Sequence, residues 1–246
     1  MEIIASLSTI PKRLPTLITT LERLSEQEQS ISETHLNIPY FNLRTGEHYS
    51  IPEEIRNFPK VKIFRTEDYG PITKIATTFR RLIGDQNTFI WQVDDDIDYP
   101  THALRMLVEG MQIGNQKKII CRHGGALGSG FDFAPWWGKS EVDFMEGFGG
   151  ILYPPSCILP NFFTLLDEVN EIEYLRLSDD IFLSMYFKFI GIPIFLYNPM
   201  SESNPYQLDN FSSSVLDPVS QPDQRENYRK AFNEMRRILD KQTHPK

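Results

Sequence analysis

Apolar positions along this chain switch repeatedly between a strand period and a helix period. Ile3–Ser8 is an apolar run of strand length. The loop Ser8-Thr9-Ile10-Pro11 follows it, and Pro11 suits a first helical turn. Leu14, Leu17, Ile18, Leu21 and Leu24 then recur at helical spacing. His35–Phe41 predicts a second strand, and Lys60–Arg65 a third, with Val61 and Ile63 set against Lys62 and Arg65. After the turn Asp68-Tyr69-Gly70-Pro71, the residues Ile72, Ile75, Ala76, Phe79 and Leu82 make the core face of a helix that Gly84-Asp85-Gln86-Asn87 ends. Phe89, Ile90, Trp91 and Val93 read as a buried strand that stops at Asp94-Asp95-Asp96. A helix with Leu104, Leu107, Val108 and Met111 on one face and the strand Ile119–Arg122 come next.

This β-α-β-β-α-β-α-β order predicts an α/β fold, with a mostly parallel sheet flanked by helices. The rhythm then changes. Gly124 to Gly138 holds five glycines and two tryptophans, and Gly147-Phe148-Gly149-Gly150 leads into the strand Ile151–Tyr153. Pro160 opens a short helix, and Ser178-Asp179-Asp180 opens a long apolar one. The run Ile181–Tyr197 is short for a membrane span and is interrupted by Lys188, Gly191 and Pro193, so it reads as a buried helix entering a strand. Residues 198–221 are rich in Ser, Pro and Asn and read as irregular, and Tyr228, Phe232, Met235 and Leu239 mark a last amphipathic helix. With no repeat and no clean linker, the expectation is a single domain over 1–246, in which 1–122 and 123–246 form two halves.

The chain has 246 residues, 40% hydrophobic and 24% charged, enough for a sizeable core. Its net charge of −8 argues against a non-specific nucleic-acid binder. Cys121 and Cys157 are its two cysteines, which excludes a disulfide scaffold and suits a reducing compartment. The start of the chain enters a strand directly, without the basic and apolar stretches of a leader peptide.

The chemistry gathers at a few stretches. Three adjacent carboxylates cannot continue into a core unpaired, so Asp94, Asp95 and Asp96 lie at a strand end, where open α/β sheets hold ligands. Such oxygens suit hard divalent cations, although an acidic turn that binds nothing has the same composition. Asp68-Tyr69-Gly70-Pro71-Ile72-Thr73-Lys74 places a lysine in the first turn of a helix, an arrangement suited to phosphate and equally to a solvated lysine. Ser8-Thr9-Ile10-Pro11-Lys12-Arg13 repeats it after the first strand. Asp179 and Asp180 at a helix start fit either plain capping or a carboxylate that removes a proton from a hydroxyl. Gly147–Gly150 admits a bulky ligand close to the backbone or makes a tight turn. The loop with Trp136 and Trp137 reads as a lid over the core or a ligand, and His123 as a metal or phosphate contact or a hydrogen-bonded core residue. Serine-hydrolase, P-loop and dinucleotide signatures are absent.

Taken in order, Thr-Ile-Pro-x-Arg, Asp-x-Gly-Pro-x-Thr-Lys, a strand ending in Asp-Asp-Asp, Gly-x-Gly-Gly and Asp-Asp-Ile-Phe resemble the nucleotide-sugar glycosyltransferases of the GT-A fold, of the inverting Asp-x-Asp type, over residues 3 to 197. The resemblance implies Asp96 as metal ligand with Asp94 assisting, and Mn²⁺ or Mg²⁺ as the ion. It implies Thr9, Pro11, Arg13, Asp68, Gly70, Lys74, Asp94 and Asp95 around the donor nucleotide. Trp136, Trp137, Gly149, Gly150 and His123 then fall to the sugar or acceptor, and Asp180 to the catalytic base, with Asp179 orienting a sugar. Asp95 and the Ser-Asp-Asp triplet depart from the commoner Asp-x-Asp and Glu-Asp patterns. The implied activity moves a sugar from a UDP-sugar to a hydroxyl of a glycan or glycolipid. The implied setting is cytoplasmic, at the inner face of a membrane, with peripheral contact at most and no nucleic acid. A sugar nucleotidyltransferase and a non-catalytic nucleotide or sugar module are the alternatives.

Overall fold

The computed structural model describes residues 1–126, 132–133, 138–199 and 224–243. Trp136, Trp137, most of the glycine-rich loop and nearly all of the segment read as irregular lie outside the described residues. The elements run β1 (Glu2–Ser8), α1 (Leu17–Ser25), β2 (Glu33–Pro39), α2 (Glu53–Arg56), β3 (Val61–Thr66), α3 (Thr73–Arg81), β4 (Thr88–Gln92), α4 (Ala103–Gln112) and β5 (Ile119–Cys121). After them come β6 (Gly124–Ala126), β7 (Asp132–Phe133), β8 (Gly138–Val142), β9 (Phe144–Met145) and β10 (Ile151–Tyr153). The chain then continues through α5 (Asn161–Asn170), α6 (Glu173–Arg176), α7 (Asp179–Phe189), β11 (Ile194–Asn198) and α8 (Gln224–Thr243).

One eight-stranded sheet, ordered β3-β2-β1-β4-β10-β5-β11-β8, takes strands from both halves of the chain, and β7-β6-β9 form a small second sheet. The strands β1 to β4 pair in parallel, as the alternation of strands and helices predicts. Side chains alternate across this sheet and build a core on each face. On one face Ile3, Ala5, Leu7 and Trp91 pack with Leu17, Leu21, Leu104 and Leu107. On the other, Ile75 and Phe79 pack with Phe162, Phe182 and Tyr186, and the Phe79–Phe162 and Phe162–Tyr186 rings meet edge to face at 5.6 and 4.9 Å.

The departure from the parallel rhythm is β10. It inserts between β4 and β5 and runs antiparallel to both, with Ile151 opposite Gln92 and Cys121. An antiparallel strand begins at the edge where its parallel neighbours end. The residues before β10, Gly147–Gly150, are therefore carried to the edge where β4 delivers Asp94–Asp96. The boundaries also shift locally. Pro11 starts and Pro71 sits second in the 3-10 turns Pro11–Thr16 and Gly70–Ile72 ahead of α1 and α3, first-turn positions that suit a residue with fixed φ and no N–H.

Candidate active site

Five segments converge on that edge: the loop after β1, the start of α3, the Asp triplet after β4, the Gly147–Gly150 turn and the N-terminus of α7. Each aspartate of the triplet has a separate environment. Asp95 is buried, accepts a hydrogen bond from Thr9 Oγ1 at 2.5 Å and meets Arg13 Nη1 at 2.7 Å, while its carbonyl takes the Thr20 hydroxyl at 2.8 Å. Asp96 pairs with the other nitrogen of the same guanidinium, at 2.7 Å. Arg13 thus forks across two adjacent carboxylates, a geometry that lysine cannot supply. Asp94 turns the other way, to Lys74 Nζ at 2.7 Å, and its N–H is held by Tyr99 Oη at 3.0 Å.

Lys74 is buried rather than solvated, and joins two segments far apart in sequence. Its ammonium lies 2.7 Å from Asp94 and 3.1 Å from Asp179, with the second contact an ion pair lacking hydrogen-bond geometry. Burial alone lowers a lysine's affinity for its proton. Here Asp179, Asp94 and Asp180 outweigh that and raise the Lys74 pKa well above its ordinary value.

The acid pair of α7 does not cap its own helix. Ser178, at the N-cap, makes no side-chain capping bond. Asp180 Oδ1 instead accepts the Gly147 N–H at 2.9 Å. Burial, and next the charge of Asp179, push the Asp180 carboxyl well above the usual carboxylate range, against the pull of Lys74. Asp96 is pushed up to about 6 by burial and by Asp94 and Asp95.

Glu146, which sequence reasoning passed over, belongs to the same cluster. Its carboxylate has no hydrogen-bond or ion-pair partner among the described residues, and burial pushes it up to about 7. Its signal in the sequence was an acid directly preceding the glycine turn. Gln92 also escaped notice: its Oε1 takes the Tyr153 hydroxyl at 2.8 Å, and its buried Nε2 has no hydrogen-bond partner among the described residues.

The glycines divide by what they face. A Cβ on Gly147 would meet Gln92 Nε2 at 2.7 Å, Asp180 Oδ1 at 3.2 Å and Lys74 Nζ at 3.3 Å, so this glycine leaves the middle of the cluster open. Gly149 makes room for His123, and Gly150, at φ +84°, for Trp91 Nε1. His123 is buried and stacked on Phe148 with centroids 4.5 Å apart, and burial, assisted by Arg122, drives its pKa down to about 3.

Asp68 lies farther along the same edge. Its two oxygens accept the N–H groups of Leu43 and Gly70, each at 2.8 Å, which ties the loop after β2 to the turn before α3. Gly70, at φ +72°, lies where a Cβ would be 2.8 Å from the Arg176 carbonyl. Beside Thr9 the structure adds Tyr49, whose hydroxyl donates to the Thr9 carbonyl at 3.1 Å. Pro11 opens the turn that carries Arg13. A small cavity of about 10 Å³ is lined by Tyr69, Ile72, Leu166, Phe182 and Asp179.

Among the described residues no group of three or more His, Cys, Asp and Glu side chains forms a metal cage. Asp94 and Asp96 remain 23% and 19% exposed at their side chains. Both are ion-paired at 2.7 Å, to Lys74 and Arg13, and one or two carboxylates completed by substrate phosphate oxygens are the usual donor set for Mg²⁺, so these residues fit a hard cation that arrives with a phosphate able to take over the two cations.

No protein-family model and no curated protein sequence matches the chain. Solved structures do. The crystal structure of S. aureus TarS 1–349 is similar at 14% identity, over 84% of this chain and 59% of that one, with a TM-score of 0.51. A longer form of TarS gives 12% identity over 81% and 36% of the two chains, with a TM-score of 0.50. The chain thus spans well under two thirds of either structure. A third, TarS 1–349 in complex with UDP-GlcNAc, gives 14% identity over 97% and 65%, with a TM-score of 0.49. With its large, mostly parallel central sheet and flanking helices, the chain has a GT-A-type, Rossmann-like α/β fold.

Proposed function

We propose that this chain is a metal-dependent glycosyltransferase that moves a sugar from a UDP-sugar to a hydroxyl of a glycan or glycolipid, with inversion. One observation carries this reading. Lys74, Asp94 and Asp179 lie in one ion-pair chain, so the anion-binding lysine, the Asp triplet and the acid pair face a common space.

Arg13 and Lys74 are the cations for the diphosphate, and both are paired with carboxylates. A bound Mn²⁺ or Mg²⁺, held by Asp96 and Asp94, would neutralise the diphosphate as it leaves. Thr9, Pro11, Tyr49, Asp68 and Gly70 would line the nucleoside, and Asp95 would hold Arg13 in place. Asp180 takes the proton of the acceptor hydroxyl while that oxygen bonds to the anomeric carbon and the bond from that carbon to the diphosphate oxygen breaks. Burial and the charge of Asp179 make the Asp180 carboxylate the stronger base once its own proton is lost. Asp179, engaged by Lys74, orients the donor sugar. Residues 1–122 would thus supply the donor and metal side, and 123–246 the acceptor and base side.

The test is calorimetric titration with UDP-, GDP-, dTDP- and CMP-sugars, with and without Mn²⁺, followed by turnover. UDP-sugar binding that requires the ion, and release of UDP, are expected. Release of pyrophosphate would point to a nucleotidyltransferase instead, and a folded chain that binds none of them would end the proposal. Asp180→Asn should lose roughly 10²–10⁴-fold in rate and still bind donor. Near-full activity in that variant would remove Asp180 from the base role.

A further inference from the structure

A parallel sheet covered by a helix normally buries apolar side chains between them. Under the start of α3 the contact is polar instead. Ser6 of β1 and His35 and Asn37 of β2 face Lys74 and Thr78 of α3, and Ser6, Asn37 and Thr78 are fully buried. The Ser6 hydroxyl donates to the Lys74 carbonyl at 2.5 Å, and Asn37 Nδ2 donates to the same carbonyl at 3.0 Å. Ser6 and Asn37 also meet the Thr78 hydroxyl, at 2.7 and 3.2 Å, and His35 Nδ1 lies 3.3 Å from it. A carbonyl only accepts, so the nitrogen end of the Asn37 amide is the end that must face Lys74.

Two side chains from neighbouring strands therefore grip one backbone carbonyl, that of the residue whose ammonium bridges Asp94 and Asp179. Asn37 Oδ1 is buried without a hydrogen-bond partner among the described residues, so it is Nδ2 and the Ser6 hydroxyl that hold the carbonyl, and a buried polar contact of this kind permits one geometry and resists others. An apolar contact would let α3 slide along the sheet, and the lysine with it. We infer that Asn37 and Ser6, steadied by Thr78, are positioning residues that fix Lys74 where a diphosphate is to be met. This rests on the reading under Proposed function.

The test compares Asn37→Leu and Ser6→Ala with a conservative Thr78→Ser, using two readouts. One is UDP affinity by calorimetry with Mn²⁺, and the other is the rate of reductive methylation at Lys74, followed by mass spectrometry without any nucleotide. Both Asn37→Leu and Ser6→Ala should bind UDP on the order of tenfold more weakly and methylate Lys74 several-fold faster, while Thr78→Ser stays close to the parent chain. Unchanged methylation in Ser6→Ala, which removes one hydroxyl from an intact core, would overturn the inference even if Asn37→Leu does not fold. Faster methylation with unchanged UDP affinity would overturn its link to the diphosphate. A parent chain that binds no nucleotide would sink the reading under Proposed function, while the methylation rates still decide whether the grip exists.

Discussion

Glu146 and Asp180 are two acids held above their ordinary range at one edge of the sheet, and this makes stability depend on pH in a stated direction. The Glu146 carboxyl is pushed up to about 7 by burial, so between its ordinary range and pH 7 the folded chain keeps a proton that the unfolded chain has lost. Stability from this group is therefore lost as pH rises through that window. Glu146→Gln cannot ionise, so its melting temperature relative to the parent should rise between pH 4 and pH 8. A constant difference across that range would show that Glu146 is not desolvated. Gly147→Ala acts on the neighbouring residue. Its Cβ would lie 2.7 Å from the buried Gln92 Nε2 and within 3.3 Å of Asp180 and Lys74, so it should cost about 10²-fold in kcat/KM and also lower the melting temperature, because those groups must shift. These two positions also mark what a linear reading misses. Asp94–Asp96, Lys74 and Asp180 stood out as acids beside an apolar strand, a helix-start lysine and an acid pair. Glu146 and Gln92 are single polar residues whose importance comes from burial beside those groups, and burial is not a property of their sequence neighbours.

At the level of elements, helices were read more surely than strand directions. The helical spacing of Ile72, Ile75, Ala76 and Phe79 marked α3, and that of Leu104, Leu107 and Val108 marked α4, because one face of each meets the core. Three-residue β10 carries an apolar Ile151-Leu152-Tyr153 run that fits either direction, and only pairing with β4 and β5 decides that it runs antiparallel. Gly150 makes that entry possible. It combines a left-handed φ with a close approach of the Trp91 indole nitrogen, at 2.8 Å from where a Cβ would stand. Gly150→Ala should destabilise the fold by about 1–3 kcal/mol, read in urea titration. A second tie joins the small sheet to α7, where the Ser184 hydroxyl donates to the Asp180 carbonyl at 2.6 Å and accepts the Met145 N–H at 3.0 Å. Ser184→Ala leaves a buried N–H unpaired and should cost about 1–3 kcal/mol as well. Its melting curve at fixed pH checks this.

The whole molecule carries a net charge of −8, and the site concentrates acids around two cations that are already engaged. A nucleoside diphosphate alone meets this negative field, and a divalent ion alone finds Asp94 and Asp96 tied to Lys74 and Arg13. Under the proposed function the two together would exchange partners, the ion with the carboxylates and the phosphates with the cations. Mn²⁺ and UDP should therefore raise the melting temperature far more together than either does singly, with a combined gain of about 2.7 kcal/mol at a hundredfold excess over Kd. Equal, additive shifts would contradict that exchange. No helix among the described residues is long and apolar enough to cross a membrane, which agrees with reading Ile181–Tyr197 as a helix entering a strand.

Periodicity and punctuation by themselves determined the α/β class and the order of most strands and helices, and they marked the stretches that the fold gathers at one edge of the sheet. Those features depend on which residues alternate, and alternation is local. Tertiary structure alone decided that Lys74 joins Asp94 to Asp179, that Arg13 forks across Asp95 and Asp96, and that Glu146 lies beside Asp180. Such contacts depend on the direction of β10 and on which faces meet across the sheet, and these are settled by packing among residues many positions apart.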